Sequence, residues 1–123
     1  MITFEELKMM IDENHISKIQ LKRKPEIMDQ YEIFRKTLDL NTFNQYIFGD
    51  KKDYIIRRND FPYDISQNIS HSILWLKDES LNIKELLINN NFILDDNLIW
   101  FRNSPENRSI KDIVHYHIFV NKI

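Results

Sequence analysis

The spacing of apolar residues changes at Gly49, the only glycine in the chain. Before this residue, apolar side chains recur every three or four positions, which places them on one face of a helix. After it, apolar and polar side chains alternate, as they do in a strand whose two faces differ. We therefore expect a single domain of 123 residues, with a helical part over 1–50 and a β-rich part over 51–123.

Three helices are predicted in the helical part. The first begins with Thr3 and Glu6, which are spaced as a capping box in which each side chain bonds the backbone amide of the other. The second begins at Pro25, a residue suited to the first helical position, and a short third helix over 42–48 ends at Gly49. The apolar faces of the first two helices comprise Phe4, Leu7, Met10 and Ile11, and then Ile27, Met28, Tyr31, Phe34 and Leu38.

Four strands and one further helix are predicted in the β-rich part. The strands cover 54–58, 71–77, 98–102 and 113–120. The helix follows the second strand and is capped by Ser80 or Asn82. Strong alternation interrupted by one helix is typical of an α+β fold. We expect an antiparallel β-sheet of four to five strands with N-terminal helices and one crossover helix.

Composition excludes several classes of protein. The chain has no cysteine, which rules out a disulfide framework, a thiol nucleophile and thiolate metal ligands. Its net charge of -2 provides no broad basic surface, so we expect no nucleic-acid partner. The first residues are acidic and no long apolar run follows them, so we expect no membrane partner and a cytoplasmic location.

Histidines are the residues that carry the strongest chemical signal. His115 and His117 lie two positions apart on the last predicted strand, so their side chains point to the same face. His71 begins another predicted strand. If the two strands are neighbours, the three imidazoles converge in a cleft, and all three become candidate catalytic residues.

Three interpretations fit such a convergence. In the first, one imidazole attacks phosphorus and forms a covalent nucleotidyl intermediate, while the others orient it. In the second, His71, His115 and His117 hold a metal ion that activates water, although no carboxylate motif accompanies them and we assign no metal ligand. In the third, they are ordinary half-buried strand histidines bonded to the backbone. The sequence leaves the cofactor unknown.

Two further stretches contain candidate ligand-binding residues. The segment 57–63 is either a rigid turn or a pocket wall, in which Arg57 or Arg58 binds a phosphate. The ends of later strands carry polar side chains that could also bind phosphate, or could simply be solvated. A surface of the N-terminal helices could instead bind a protein partner. The candidate residues are Asn59, Phe61, Tyr63, Lys77, Arg102, Asn103 and Ser109.

Five motifs together resemble the fungal N-acetylglucosamine-induced protein family, a domain of unknown function. They lie between about residues 54 and 120 and comprise Asn59-Asp60-Phe61-Pro62-Tyr63, His71-Ser72-Ile73-Leu74-Trp75-Leu76-Lys77, Trp100-Phe101-Arg102-Asn103, Ser109-Ile110 and His115-Tyr116-His117.

The order of these motifs is also similar, more distantly, to histidine-triad and galactose-1-phosphate uridylyltransferase-like proteins. That resemblance implies that His117 attacks the α-phosphate of a nucleotide, with His115, Asn103 and Ser109 as helpers. The chain departs from the triad pattern at Phe119, where the third histidine would stand, and at Arg108, where a glycine is usual. The implied function is a nucleotide or nucleotide-sugar phosphate hydrolase or transferase. The alternatives are a non-catalytic ligand-binding or protein-interaction module and a histidine-ligated metal-dependent hydrolase.

Overall fold

The computed structural model describes residues 2–12, 23–37, 39, 45–49, 53–60, 63–102 and 113–122. These residues form helices and an antiparallel sheet, which confirms the predicted α+β class. The helices are α1 (Phe4–Asp12), α2 (Pro25–Lys36), α3 (helical over 45–48) and α4 (Ile83–Asn89). The strands are β1 (Tyr54–Arg58), β2 (Ile69–Leu76), β3 (Leu98–Phe101) and β4 (Val114–Asn121).

The sheet has the strand order β1-β2-β4-β3, and every neighbouring pair is antiparallel. The two strands that carry the histidines are therefore direct neighbours at its centre. Ile73 lies opposite His117, and Trp75 lies opposite His115. His71 lies opposite Phe119, which is two positions after His117 on β4. Because side chains two positions apart share a face, His71 lies on the same face of the sheet as His117. The adjacency on which the predicted convergence depended is confirmed.

Local signals placed the ends of several elements correctly. At the start of α1, the Glu6 amide donates to Thr3 Oγ1 at 3.2 Å, and the Thr3 amide donates to Glu6 Oε1 at 3.3 Å. After α3, the Gly49 amide donates to the Gln45 carbonyl at 2.9 Å, and Gly49 has a φ of 54°, the left-handed conformation that favours glycine. Asn82, one of the two predicted caps, accepts a hydrogen bond from the Glu85 amide and begins α4.

The predicted apolar face of α2 is only partly correct. Tyr31 is buried and Phe34 packs against the core, but Met28 is 39% exposed. The rings of Tyr31 and Phe34 determine which side of α2 faces the core, so the side chain of Met28 faces outward. Leu38, the last residue of the predicted face, lies outside the described residues.

Helices cover both faces of the sheet. On one face, α4 buries Leu86 and Leu87 against the side that also carries Ile118. On the histidine face, α1 packs Phe4 and Leu7 against one end of the sheet. One aliphatic and one aromatic residue of α3 pack against the other end of the sheet, where they contact Ile73, Trp75 and Ile113. The histidines therefore lie on a covered face. None of the helices in the described residues has the length and apolar character needed to cross a bilayer.

Candidate functional site

The three predicted histidines form a row on the covered face of the sheet. The ring centroids of His71 and His117 are 5.1 Å apart, and those of His115 and His117 are 5.6 Å apart. Their exposed fractions are 6% for His71, 8% for His115 and 3% for His117. The sequence therefore placed the imidazoles together correctly, but the face on which they lie is shielded from solvent.

His71 and His117 form a hydrogen-bonded pair. Nε2 of His71 lies 2.9 Å from Nδ1 of His117, so one of these two nitrogens donates to the other. The side-chain nitrogen of Asn59 lies 3.3 Å from Nδ1 of His71 and 3.4 Å from its Nε2, so Asn59 contacts the same ring.

Aromatic rings enclose the pair. Tyr63 stacks on His71 with centroids 5.2 Å apart, and Phe119 stacks on His71 at 4.3 Å. Phe101 stacks on His117 at 5.5 Å. These contacts remove water from around both imidazoles, so each ring loses the solvation that would favour its charged form.

His115 has a different environment from the pair. Its Nδ1 donates to the carbonyl of Ile113 at 3.0 Å, which lies two residues earlier and just before β4. The centre of its ring lies 4.7 Å from that of Trp75. A backbone bond of this kind determines which nitrogen carries the proton. This is the geometry expected of an ordinary strand histidine that is bonded to the backbone, as in the third interpretation of the sequence.

Burial and a nearby guanidinium keep the pair neutral. Burial, assisted by the positive charge of Arg23, lowers the pKa of His71 from 6.5 to about 3. Burial also lowers the pKa of His117 well below its usual value, and the neighbouring imidazoles and Arg23 act in the same direction. Both rings are therefore uncharged at pH 7.

Arg23 is a site residue that sequence reasoning missed. Its guanidinium carbon lies 4.1 Å from the ring centre of Tyr31 and 4.8 Å from that of Tyr63, so it is held between two tyrosines. In the sequence it was only part of a short basic run before Pro25. Nothing in local spacing indicates a contact between positions 23 and 63, so no sequence signal could have found it.

A groove of about 570 Å³ opens in front of His71. Three parts of the chain surround it: the first turn of α2, the junction of β1 with β2, and the segment 63–67. Its charged side chains are two cations and two carboxylates. The lining residues are Lys24, Glu26, Ile27, Arg58, Asn59, Tyr63, Asp64, Ile65, Ser66, Gln67, Ile69, Ser70 and His71.

The predicted ligand-binding residues divide into three groups. Asn59 and Tyr63 line the groove together with His71. Lys77 does not line the groove. It follows the end of β2, six positions after His71, which is roughly 20 Å along an extended chain, and its ammonium lies 4.7 Å from the ring centre of Phe48. Arg102 follows β3 and is not among the lining residues either. The predicted residues Phe61, Asn103 and Ser109 lie outside the described residues.

Two alternative functions can be compared with this geometry. In the described part of the chain, no three histidine or acidic side chains are arranged to hold a metal ion. Ring nitrogens of His71 and His117 instead bond Asn59 and each other. A protein-binding surface on the N-terminal helices stays a prediction, to which α2 contributes the exposed side chains of Met28 and Ile33.

Comparisons with known proteins place the chain near proteins of unknown function. A model of the DUF3605 family, described as a protein of unknown function, matches residues 38–85. An uncharacterized protein of Saccharomyces cerevisiae is 24% identical over 95% of this chain and 77% of its own length. The crystal structure of HTC1 superimposes with a TM-score of 0.71 and 23% identity, covering 98% of this chain and 85% of that one.

This likeness to HTC1 shows a shared fold. The comparisons do not support the histidine-triad resemblance or the N-acetylglucosamine-induced assignment. The sequence matches fit a fungal protein family of unknown function, to which this chain is similar.

Proposed function

We propose that this protein binds a phosphate-bearing small molecule, of the nucleotide or nucleotide-sugar class, in the groove in front of His71. The observation that carries the proposal is the lining of the groove, where Lys24 and Arg58 lie with the amide of Asn59 and a neutral histidine. Ammonium and guanidinium groups are the side chains that bind phosphate most strongly, and guanidinium does so with two parallel hydrogen bonds.

The start of α2 adds to the attraction for an anion. Lys24 occupies the N-cap position without a side-chain cap bond, and the first-turn residues Glu26 and Ile27 line the groove. The first backbone amides of a helix lack partners within the helix, and the helix dipole makes that end positive. Arg23, whose charge disfavours a proton on His71, raises the positive potential in the same region.

Binding can be tested by titration calorimetry with inorganic phosphate, pyrophosphate, UDP and a UDP-sugar. Removing one charge-assisted hydrogen bond costs roughly 1.5–3 kcal/mol. Arg58→Ala and Lys24→Ala should therefore each weaken binding by about tenfold or more. Arg35→Ala and Lys36→Ala, which remove exposed cations at the other end of α2, serve as matched controls and should leave binding unchanged. The proposal fails if none of the four ligands binds, or if the groove variants bind as the controls do.

A second candidate function is transfer or hydrolysis at the bound phosphate by His117. The specific observation that favours it is the direct bond between His117 and the groove-lining His71. For Nε2 of His117 to attack phosphorus, that nitrogen must be unprotonated, with the ring proton on Nδ1 donated to Nε2 of His71. The His117 ring does not line the groove, so it must also move to reach the phosphorus. The new N–P bond then forms as the bond from phosphorus to the leaving group breaks.

This chemistry has a clear experimental signature. The wild-type protein, mixed with a ³²P-labelled nucleotide and denatured in base, should retain an acid-labile phosphoramidate. His117→Asn should lose the label, while His115→Asn should retain at least part of it. Absence of label in the wild type, with ligand binding intact, would limit the protein to binding.

A further inference from the structure

We infer that the groove selects among phosphate-bearing molecules by the sugar that carries the phosphate, because the carboxylate of Asp64 accepts a hydrogen bond from a sugar hydroxyl. This inference rests on the proposed phosphate-binding function and adds the part of the ligand that the cations do not explain. It assigns Asp64, a residue that the sequence analysis did not select, as a determinant of specificity.

The mixed charge of the groove is the first observation behind it. Glu26 and Asp64 line the same groove as Lys24 and Arg58. A site for bare phosphate would be weakened by two carboxylates, because like charges repel. A sugar hydroxyl is a hydrogen-bond donor that a carboxylate accepts, as the acidic residue of dinucleotide-binding folds accepts from ribose. The charges therefore fit a ligand with an anionic part and a hydroxyl-bearing part.

The unsatisfied carboxylate of Asp64 is the second observation. Its Oδ1 is buried, and no hydrogen-bond partner for it lies in the described part of the chain. A buried acceptor without a donor costs roughly 1–3 kcal/mol, and more when the group is charged. The torsion that turns an aspartate carboxyl group is broad, so a modest rotation can direct this oxygen to the groove. A hydroxyl held there would supply the missing donor.

Hydrogen bonds hold the backbone around Asp64 in place. The chain therefore cannot easily move to bring the buried carboxylate oxygen to another donor. The Asp64 carbonyl accepts from the Ile2 amide at 3.2 Å, and the Ser66 amide donates to the Ile2 carbonyl at 2.9 Å. Residues 2 and 65 thus form a parallel β-bridge between the N-terminus and this wall of the groove. A fixed backbone presents the carboxylate at one position, as recognition of a particular hydroxyl requires.

Further polar groups continue the same wall. Ser66, Gln67 and Ser70 line the groove beside Asp64. The Ser66 hydroxyl donates to the Ile2 carbonyl at 3.2 Å, which leaves its oxygen able to accept from a ligand. A wall of hydroxyl, amide and carboxylate groups can both donate to and accept from sugar hydroxyls, whereas a bare phosphate only accepts and would leave the Asp64 carboxylate without a donor.

The test compares two phosphate monoesters of equal charge, glucose 1-phosphate and ethyl phosphate, by titration calorimetry on the full chain. Wild-type protein should bind glucose 1-phosphate at least tenfold more tightly. Asp64→Ala should abolish that preference and leave the affinity for ethyl phosphate equal or higher. Asp64→Asn keeps an acceptor oxygen in the same shape and should retain part of the preference. Asp29→Ala, at an exposed position on α2, is the matched control and should behave as wild type.

Each outcome decides one question. Equal affinity of the wild type for the two monoesters overturns the sugar inference and leaves the phosphate-binding proposal standing. A preference that survives in Asp64→Ala overturns the role of Asp64. Failure of both monoesters to bind the wild type, together with the nucleotides tested above, overturns the proposed function itself.

Discussion

Mild acid should destabilise this protein through the buried pair of His71 and His117. In an unfolded chain, imidazole has a pKa of about 6.5. In the folded protein, burial and the charge of Arg23 lower the pKa of His71 to about 3. Between these two values the unfolded state binds a proton that the folded state does not. The contribution of the neutral ring is therefore complete above about pH 6.5 and is lost progressively as the pH falls toward 3.

The size of the effect follows from the two pKa values of His71. At pH 5 the solution is about 1.5 units below the unfolded pKa, and one unit corresponds to about 1.4 kcal/mol. Lowering the pH from 7.5 to 5 should thus reduce the free energy of unfolding by about 2 kcal/mol through His71 alone. The pKa of His117 is shifted in the same direction, so its contribution has the same sign. Such a loss is large for a domain whose total stability is typically about 5–15 kcal/mol.

Urea unfolding followed by circular dichroism at pH 7.5 and pH 5 measures this difference. His71→Gln cannot take up a proton, so its free energy of unfolding should change less between the two pH values, by about 2 kcal/mol. The variant will be less stable at pH 7.5, but the prediction concerns the pH-dependent part alone. Lys84→Gln, an exposed substitution that alters no imidazole, should keep the full wild-type dependence. If His71→Gln and wild type lose stability equally in acid, the reasoning about a buried neutral pair is refuted.

Three further substitutions test other parts of the structure. Arg23→Ala should raise the pKa of His71 in an NMR titration, because a nearby positive charge is removed, while Arg35→Ala should leave it unchanged. Gly49→Ala should lower the free energy of unfolding by about 1 kcal/mol through strain at positive φ, because no described atom beyond the two adjacent residues lies within 4 Å of the added methyl group. Asn82→Ala should cost about 1 kcal/mol by removing the cap of α4, which thermal denaturation would detect and Asn89→Ala would control for.

The site was only partly predictable from the sequence because some of its residues are neighbours in the chain and others are far apart in it. The shared face of His115 and His117 follows from strand geometry, and the structure places both rings there. The groove depends on contacts between the start of α2 and positions 63–71, which no short pattern encodes. Lys77 was selected as a polar side chain at the end of a strand that could bind phosphate, yet the length of β2 separates it from His71 and the groove.

By itself, the sequence determined the elements and their two-sided patterns. The capping box of α1, the end of α3 at Gly49 and the exact extent of β1 all follow from interactions between residues a few positions apart. The tertiary structure decided the strand order, the burial of the histidine face and the place of Arg23 between two tyrosines. These depend on which distant surfaces bury the most apolar area together, a global balance of packing and chain entropy that local spacing does not contain.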